Sequence, residues 1–517
     1  MAATLPRRES LENHPSRLAA RQPISVVVEH ETTVIIGAGP AGLTTGEILS
    51  RHGLDVVVIE ADARYVGGIS RTVEYRGYRF DIGGHRFFSR SSEVEDYWTY
   101  LLGDDMLERP RTSRILYSGR FFAYPLKPFE TVMRLGTLES VRCGLSYLRA
   151  RAFPIREPAN FEEWVTNQFG QRLYSIFFKT YTEKVWGMEC TEISADWAAQ
   201  RIKGLSLGSA ISSSVRRKRN GSDVIKTLLE SFRYPRLGPG MMWEAAAAKI
   251  REHGGKVHMG EKVTSLHRSG SRWHLETELS NGTTRAYEAD HVVSSMPIRS
   301  LVRGLPDIPQ EVAIAATQLR YRDFLIVALM IDGEDEFDDN WIYVHEPGVR
   351  VGRIQNFKSW SPEMVPHPAA NCYGLEYFCN DTDQIWTMPD DELVDMAFGE
   401  LVSLGIARRA ELIGGAVVRQ RKAYPVYDTD YAENVRKVVS HLESAFPTLH
   451  LAGRNGMHKY NNQDHAIMTA MLTAKNIMAG QRLHDPWSVN QDAEYHESGS
   501  AGPSVTGLRA VPSKVRG

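Results

Sequence analysis

The sequence predicts a multidomain α/β chain. One parallel-sheet unit is assembled from three separate stretches, interrupted by a helical insert and a β-rich insert. Three observations predict this. VIIG (34–37) and VVVIE (56–60) are short, continuous β-branched runs, the pattern of strands covered on both faces. Residues 127–205 change to helical character, as in PFETVMRLGTLESVRCGLSYLRARAF. A late unit, LHLAGR (449–454) followed by the helix pattern of 464–480, returns to the character of the beginning.

Taken in order, residues 1–30 are rich in Arg, Ser and Pro without periodicity and read as a flexible tail. Residues 31–126 open the parallel-sheet unit. Residues 127–237 form the helical insert, expected to serve as a substrate or lid domain. Residues 238–300 return to mixed character, with the helix pattern MMWEAAAAKIREHG, strands around 256–279, and the buried strand HVVSSMP. Residues 301–445 form a β-rich substrate domain, carried by YRDFLIVALMID, WIYVHEP and NCYGLEYF. Residues 446–484 complete the parallel-sheet unit, and 485–517, rich in Gly, Ser and Pro, read as a second tail.

Composition excludes several classes. The chain has 517 residues, 42% of them hydrophobic, with 61 basic against 63 acidic residues. That balance excludes a broadly basic nucleic-acid binder and an acidic disordered chain. No apolar run is long enough to span a bilayer. The four cysteines, 143, 190, 372 and 379, form no CxxC pair, so neither a metal site nor a disulfide framework is expected and a reducing cytoplasm fits. A homodimer is the oligomeric option kept open.

The chemistry begins at GAGPAG. Gly37 permits a tight turn, Gly39 lets backbone approach a pyrophosphate at a helix N-terminus, and Gly42 permits close helix–strand packing. Glu60 ends the second strand, where a carboxylate can bond a ribose hydroxyl. A purely structural glycine turn is the bland alternative. The strand before, the helix after and the acid at this distance favour a dinucleotide. Gly67 and Gly68, in GGISRT, suit a second backbone approach. Gly83 and Gly84, in FDIGGHRFFS, suit a third, beside a flat ring system. Gly453 and Arg454 place a late helix N-terminus near such a ring.

GAGPAG, Glu60, GGISRT, HVVSSMP and LAGR together resemble the flavoprotein superfamily of amine oxidases, protoporphyrinogen oxidases, phytoene desaturases and UDP-galactopyranose mutases. The resemblance implies a Rossmann-type FAD-binding domain built from the discontinuous segments, tightly bound FAD, and Val263 holding the adenine side through its backbone.

The inserts narrow the resemblance to the UDP-galactopyranose mutases. FFKTYTEKVWGM, FDIGGHRFFS, VGRIQNFKSW, AYPVY and GRNGMHKYNNQDHAI follow segments of that family in order. What this implies is His85 near the flavin and Arg353 and Tyr460 on a substrate diphosphate, these three being the catalytic candidates. Arg454 becomes a flavin contact, Arg201 and Tyr424 further diphosphate contacts, and Trp186, with Tyr181, a stacking partner for a nucleobase. Two arginines and two phenols from separate segments suit a diphosphate, because charge-assisted contacts are strong. Each also has a bland reading: a strand arginine is usually a surface ion pair, a helix tryptophan usually core, and a histidine after two glycines often structural. Lys184 and His85 are candidates for polar assistance. The stretch SSSVRRKRNGSD (212–223) is either a solvated loop or a lid drawn to a nucleotide diphosphate.

The implied reaction is redox-neutral pyranose–furanose isomerisation of a nucleoside-diphosphate sugar, with reduced-flavin N5 attacking the anomeric carbon and NAD(P)H as an external reductant. Departures from the family favour a rival, an FAD-dependent oxidoreductase removing hydride from a sugar or other small molecule. Phe88 stands where the family has a second histidine, GGISRT where it has GGNxxS, and NNQDH where it has a short acidic turn. No strongly basic amphipathic helix is evident, which weighs against a lipophilic polyene substrate. A non-catalytic FAD-binding protein is the third class.

Overall fold

The computed structural model describes residues 28–490, apart from residues 125, 194, 196–230, 334–335, 408–411 and 429. Among the described residues, two seven-stranded sheets form the framework.

The first sheet grows from the β-branched runs. Strand Val28–Ile36 pairs in parallel with Val56–Glu60 on one side and Thr284–Ser294 on the other. Lys256–Met259 extends one edge in parallel, and Leu449–Leu451 pairs in parallel with the end of Thr284–Ser294. The first half of that long strand instead receives the antiparallel hairpin Glu261–Ser269 and Arg272–Leu279. Strands from residues 28–60, 256–294 and 449–451 thus lie in one sheet, although an intervening stretch of nearly 200 residues separates the first two groups.

Both faces are covered. Helices Pro40–Arg51, Gly240–Glu252 and Gln463–Ala479 pack on one face through Leu43, Leu49, Trp243, Ile250, Ile467 and Leu472. Helix Gln463–Ala479 is buried along nearly its whole length, so its sequence is apolar around most of its circumference rather than along one stripe. The other face carries helices Ile298–Gly304, Gln310–Gln318 and Tyr431–Ala445 through Leu301, Val312, Val438 and Leu442.

The second sheet has the order 412–425, 321–332, 370–379, 353–356, 341–344, 113–117, 120–123. It is antiparallel except where Trp341–Val344 meets Ser113–Tyr117. Two placements differ from the sequence reading. Strands Ser113–Tyr117 and Arg120–Ala123 were grouped with the opening stretch but extend this second sheet. Helices Gln310–Gln318 and Tyr431–Ala445 were grouped with the β-rich insert but cover the first sheet. Amphipathic period reveals which face of an element is buried, not which sheet buries it.

The helical insert is described as Pro128–Leu135, Thr137–Ala152, Phe161–Phe169 and the run Gln171–Trp186, the last interrupted by one π-helical turn at Ser175–Lys179. No helix among the described residues is long and apolar enough to cross a membrane.

Candidate active site

A cavity of about 470 Å³ lies between the two sheets, lined by the glycine turn, residues 83–86, residues 261–263, the end of strand Leu412–Pro425 and the 453–464 segment. Its floor follows from local geometry. Gly37 has φ +97°, a conformation that costs a side-chain-bearing residue strain. A Cβ on Gly42 would stand 1.9 Å from the Gly37 carbonyl oxygen, so only glycine lets the helix begin this close to the strand. A Cβ on Gly39 would meet nothing within 4 Å: the space above Gly39 is the cavity itself. Gly67 donates its N–H to the Ala38 carbonyl at 2.7 Å, and a Cβ on Gly68 would lie 3.4 Å from the Gly39 Cα. The GG pair therefore packs directly on the first turn.

Glu60 lines the same space and accepts backbone N–H bonds from Ala38 at 2.7 Å and Asp62 at 2.8 Å. Burial raises its pKa above the usual carboxylate range, the two backbone donors opposing that rise. A carboxylate accepts about four hydrogen bonds, so this one retains capacity toward a ligand hydroxyl. Val263 follows Glu261 into the cavity wall. Glu261 is fully buried and receives Thr277 Oγ1 at 2.6 Å, Tyr287 Oη at 2.6 Å and Arg285 at 3.0 Å, which fixes the strand that presents Val263.

Gly83, Gly84 and His85 are carried in by hairpin Thr72–Tyr75 and Tyr78–Asp81. The hairpin is pinned by the buried Asp81 carboxylate, which accepts from Tyr234 and from Thr72 Oγ1. His85 is partly buried, with Nε2 3.0 Å from the Ile82 carbonyl. Burial, then the positive charge of Arg454, pushes its pKa down to about 4, so the ring is neutral at physiological pH.

The opposite wall is aromatic and cationic. Tyr424 and Tyr460 stack with centroids 5.7 Å apart. The Arg454 guanidinium lies 5.4 Å from one ring centroid and 4.9 Å from the other. Arg454 is further fixed by donating to the carbonyls of Asn461 at 2.9 Å and Ala423 at 3.2 Å. Arg353 lines the cavity too, and its Nε donates to the fully buried Glu376 at 2.6 Å. Burial raises the Tyr424 pKa, keeping the phenol protonated.

Other predicted residues fall elsewhere. Trp186 is buried with Phe161, Val165 and Tyr174 in the core of the helical insert and does not line the cavity, although its ring is 6.5 Å from that of Tyr460. Tyr181 stacks on His345 at 5.1 Å. Lys184 is withdrawn from the site: its ammonium donates to the carbonyls of Val344, Glu346 and Val351. Arg201 and the 212–223 stretch lie outside the described residues.

The sequence reading missed Gln420, Lys422 and Gln463, which also line the cavity. Gln463 opens the helix after the Asn462 cap. It is 7% exposed, and neither its amide nitrogen nor its oxygen has a partner among the described residues. NNQDH ahead of an apolar helix is an N-cap signature that could have located it. A buried amide facing a cavity without protein partners among the described residues is left to bond a ligand or water there. With the open space over Gly39, this orphaned amide is compatible with a bound polar cofactor in the cavity.

Comparison with known proteins decides the family. Residues 40–478 match the family model described as flavin containing amine oxidoreductase. The chain belongs to this family. It is a flavoenzyme of the amine oxidoreductase family, with an α/β architecture shared with the mutases. Among curated relatives, an Escherichia coli dTDP-fucopyranose mutase is 28% identical over 31% of this chain and 43% of its own length. The chain thus aligns with less than half of that mutase. A coproporphyrinogen III oxidase of Bacillus subtilis is 22% identical over 81% of this chain and 92% of its own length. A crystal structure of reduced UDP-galactopyranose mutase superposes with a TM-score of 0.75 at 23% identity, covering 89% of this chain and 99% of that one, a likeness of fold.

Proposed function

We propose that this amine oxidoreductase-family flavoenzyme binds FAD and rearranges a nucleotide-linked sugar between pyranose and furanose forms without net redox change. The observation that carries the reading is the meeting of Arg353, Tyr424, Tyr460 and Arg454 around one cavity that also holds the glycine turn, Glu60 and His85. When bound in its reduced form, FAD supplies a nucleophilic ring nitrogen, with NAD(P)H as the external reductant.

The chain's own residues bind and orient. Gly37 and Gly39 seat the pyrophosphate at the helix start that Gly42 lets pack close to the strand, Glu60 the ribose and Val263 the adenine side, while Gly68, Gly453 and Arg454 flank the remainder and Gly67 ties the GG pair to Ala38. Arg353 attracts a substrate diphosphate, held in orientation by Glu376. Tyr424 and Tyr460 contribute phenol donors to the same group, and the neutral His85 imidazole contributes a hydrogen bond rather than a charge. Trp186, in the core of the helical insert, packs near the Tyr460 ring rather than lining the cavity.

A second reading has its own support. The Arg353 charge is already balanced by Glu376, which lowers its pull on an anionic substrate, and the sequence match to the coproporphyrinogen oxidase spans 81% of the chain against 31% for the fucopyranose mutase. That favours hydride removal from a small molecule other than a nucleotide-linked sugar.

Anaerobic incubation of oxidised and chemically reduced enzyme with UDP-galactopyranose, dTDP-linked sugars and coproporphyrinogen III separates the two. Isomer formed by reduced enzyme alone, with no lasting flavin oxidation, supports the mutase reading. Bleaching of oxidised flavin by a substrate overturns it in favour of the oxidoreductase.

A further inference from the structure

We propose that the outer face of helices Pro128–Leu135 and Thr137–Ala152 is a docking surface for an anionic lipid bilayer. Leu138, Val141, Leu145 and Leu148 are 59–67% exposed, Met133 is 68% exposed and Phe153 81%. At 100° per residue the four residues of the longer helix fall within an arc of about 80°, a continuous apolar stripe turned to solvent. Such a patch on a folded chain marks an interaction surface.

The sequence pattern conceals this face. The helix turns its smaller residues, Cys143 and Ala150, inward, where Cys143 joins the core with Leu173, Ile176 and Phe177. The large apolar residues, which a periodicity reading assigns to the core, are the ones left outside.

The presentation is rigid. The backbone after Phe153 is bracketed by Asn167, whose amide donates to the Ile155 carbonyl at 2.8 Å and accepts from the Ile155 N–H at 2.9 Å. The backbone just after Phe153 is thus tied to helix Phe161–Phe169.

Charge selects the occupant. On the helical wheel Arg142 and Arg149 border one side of the stripe and Arg151 the other, with Arg156 just beyond on the bracketed turn. The carboxylates of these two helices are engaged already, Glu130 with Arg134 and Glu139 with Arg142 and Arg172. Arg149, Arg151 and Arg156 are exposed and form no ion pair among the described residues. An apolar stripe between unbalanced arginines matches acyl chains beneath anionic headgroups, with the arginines reaching to the phosphates. A second copy is a poorer fit, because a twofold contact through this face would set arginines against arginines.

The test is flotation of the flavin-loaded full chain with vesicles of equimolar phosphatidylglycerol and phosphatidylcholine, against vesicles of phosphatidylcholine alone. The wild type should float with the anionic vesicles and progressively detach as salt rises. Leu145→Glu with Leu148→Glu, and separately Arg149→Glu with Arg151→Glu, should each lower the partition coefficient about tenfold or more while retaining flavin absorbance. If one pair fails to fold, the other and the salt series still decide. Absence of wild-type flotation, or equal flotation of variants and wild type, would overturn the proposal. So would a solution mass for the wild type twice that of the Leu145→Glu/Leu148→Glu variant, which would assign the face to a second copy.

Discussion

The Nε of Arg353 donates to Oε2 of Glu376 at 2.6 Å, and the same carboxylate receives Gln355 Nε2 on its other oxygen at 2.7 Å. Glu376 is fully buried and Arg353 nearly so, one residue on each of two adjacent strands. Removing either partner leaves the other charge buried without its counterpart, a loss of roughly 3–5 kcal/mol. Arg353→Leu and Glu376→Leu should therefore each lower unfolding free energy strongly, while the double variant should lose much less than the sum. Urea unfolding of the four proteins measures the coupling. Additive losses would show that the two charges do not depend on each other. Substrate affinity of an Arg353 variant is interpretable only after this stability term is known.

The glycines of one motif should fail in different ways. Gly42→Ala places a Cβ against the Gly37 carbonyl oxygen, with backbone on both sides of the clash, and should disrupt the turn itself. Gly39→Val points into open cavity and should leave the apoprotein's far-UV circular dichroism and melting unchanged while abolishing the flavin absorbance band. A yellow, fully loaded Gly39→Val protein would remove this position from the cofactor site.

These contrasts mark what the sequence could and could not carry. The glycine turn, Glu60 and the late helix were legible because backbone conformation and helix initiation are written in neighbouring residues. So was the gathering of Arg353, Tyr424 and Tyr460, through resemblance rather than through periodicity. Glu376 was not legible: LEYF reads as an ordinary buried strand, and the partner that makes its carboxylate tolerable lies 23 positions away on the next strand. Lys184 was misplaced for the matching reason. Its three carbonyl acceptors belong to residues 344–351, remote in sequence and brought together only by the second sheet.

Gln463 separates binding from folding. Its buried amide has no partner among the described residues, so the apoprotein already bears the cost of burying it. Gln463→Leu should leave apoprotein stability unchanged or raise it by about 1 kcal/mol, and should weaken flavin retention. Paired measurements of apoprotein unfolding and of the flavin dissociation constant test this. A loss of apoprotein stability with unaltered flavin affinity would make the side chain structural.

His85 supplies a test with a defined sign. Burial first, and then the positive charges of Arg454 and Arg353, push its pKa from 6.5 to about 4, against the opposing hydrogen bonds to the Ile82 and Ile69 backbones. The folded chain therefore resists the proton that the unfolded chain accepts below pH 6.5. The stabilisation from keeping this ring neutral is fully present above pH 6.5 and is lost as pH falls through about 4. The imidazole C–H resonance of His85 in the apoprotein should not titrate between about pH 5.5 and 8. Between pH 7 and 5 the stability advantage of wild type over His85→Phe should shrink by about 1–2 kcal/mol. Replacing Arg454 by Met removes the nearest positive charge and should move the titration upward, toward but not reaching the ordinary histidine range, since burial persists. A normal titration midpoint in the wild type would mean that the ring is solvated and charged in mildly acidic solution, and would take away its role as a neutral hydrogen-bonding group beside the flavin.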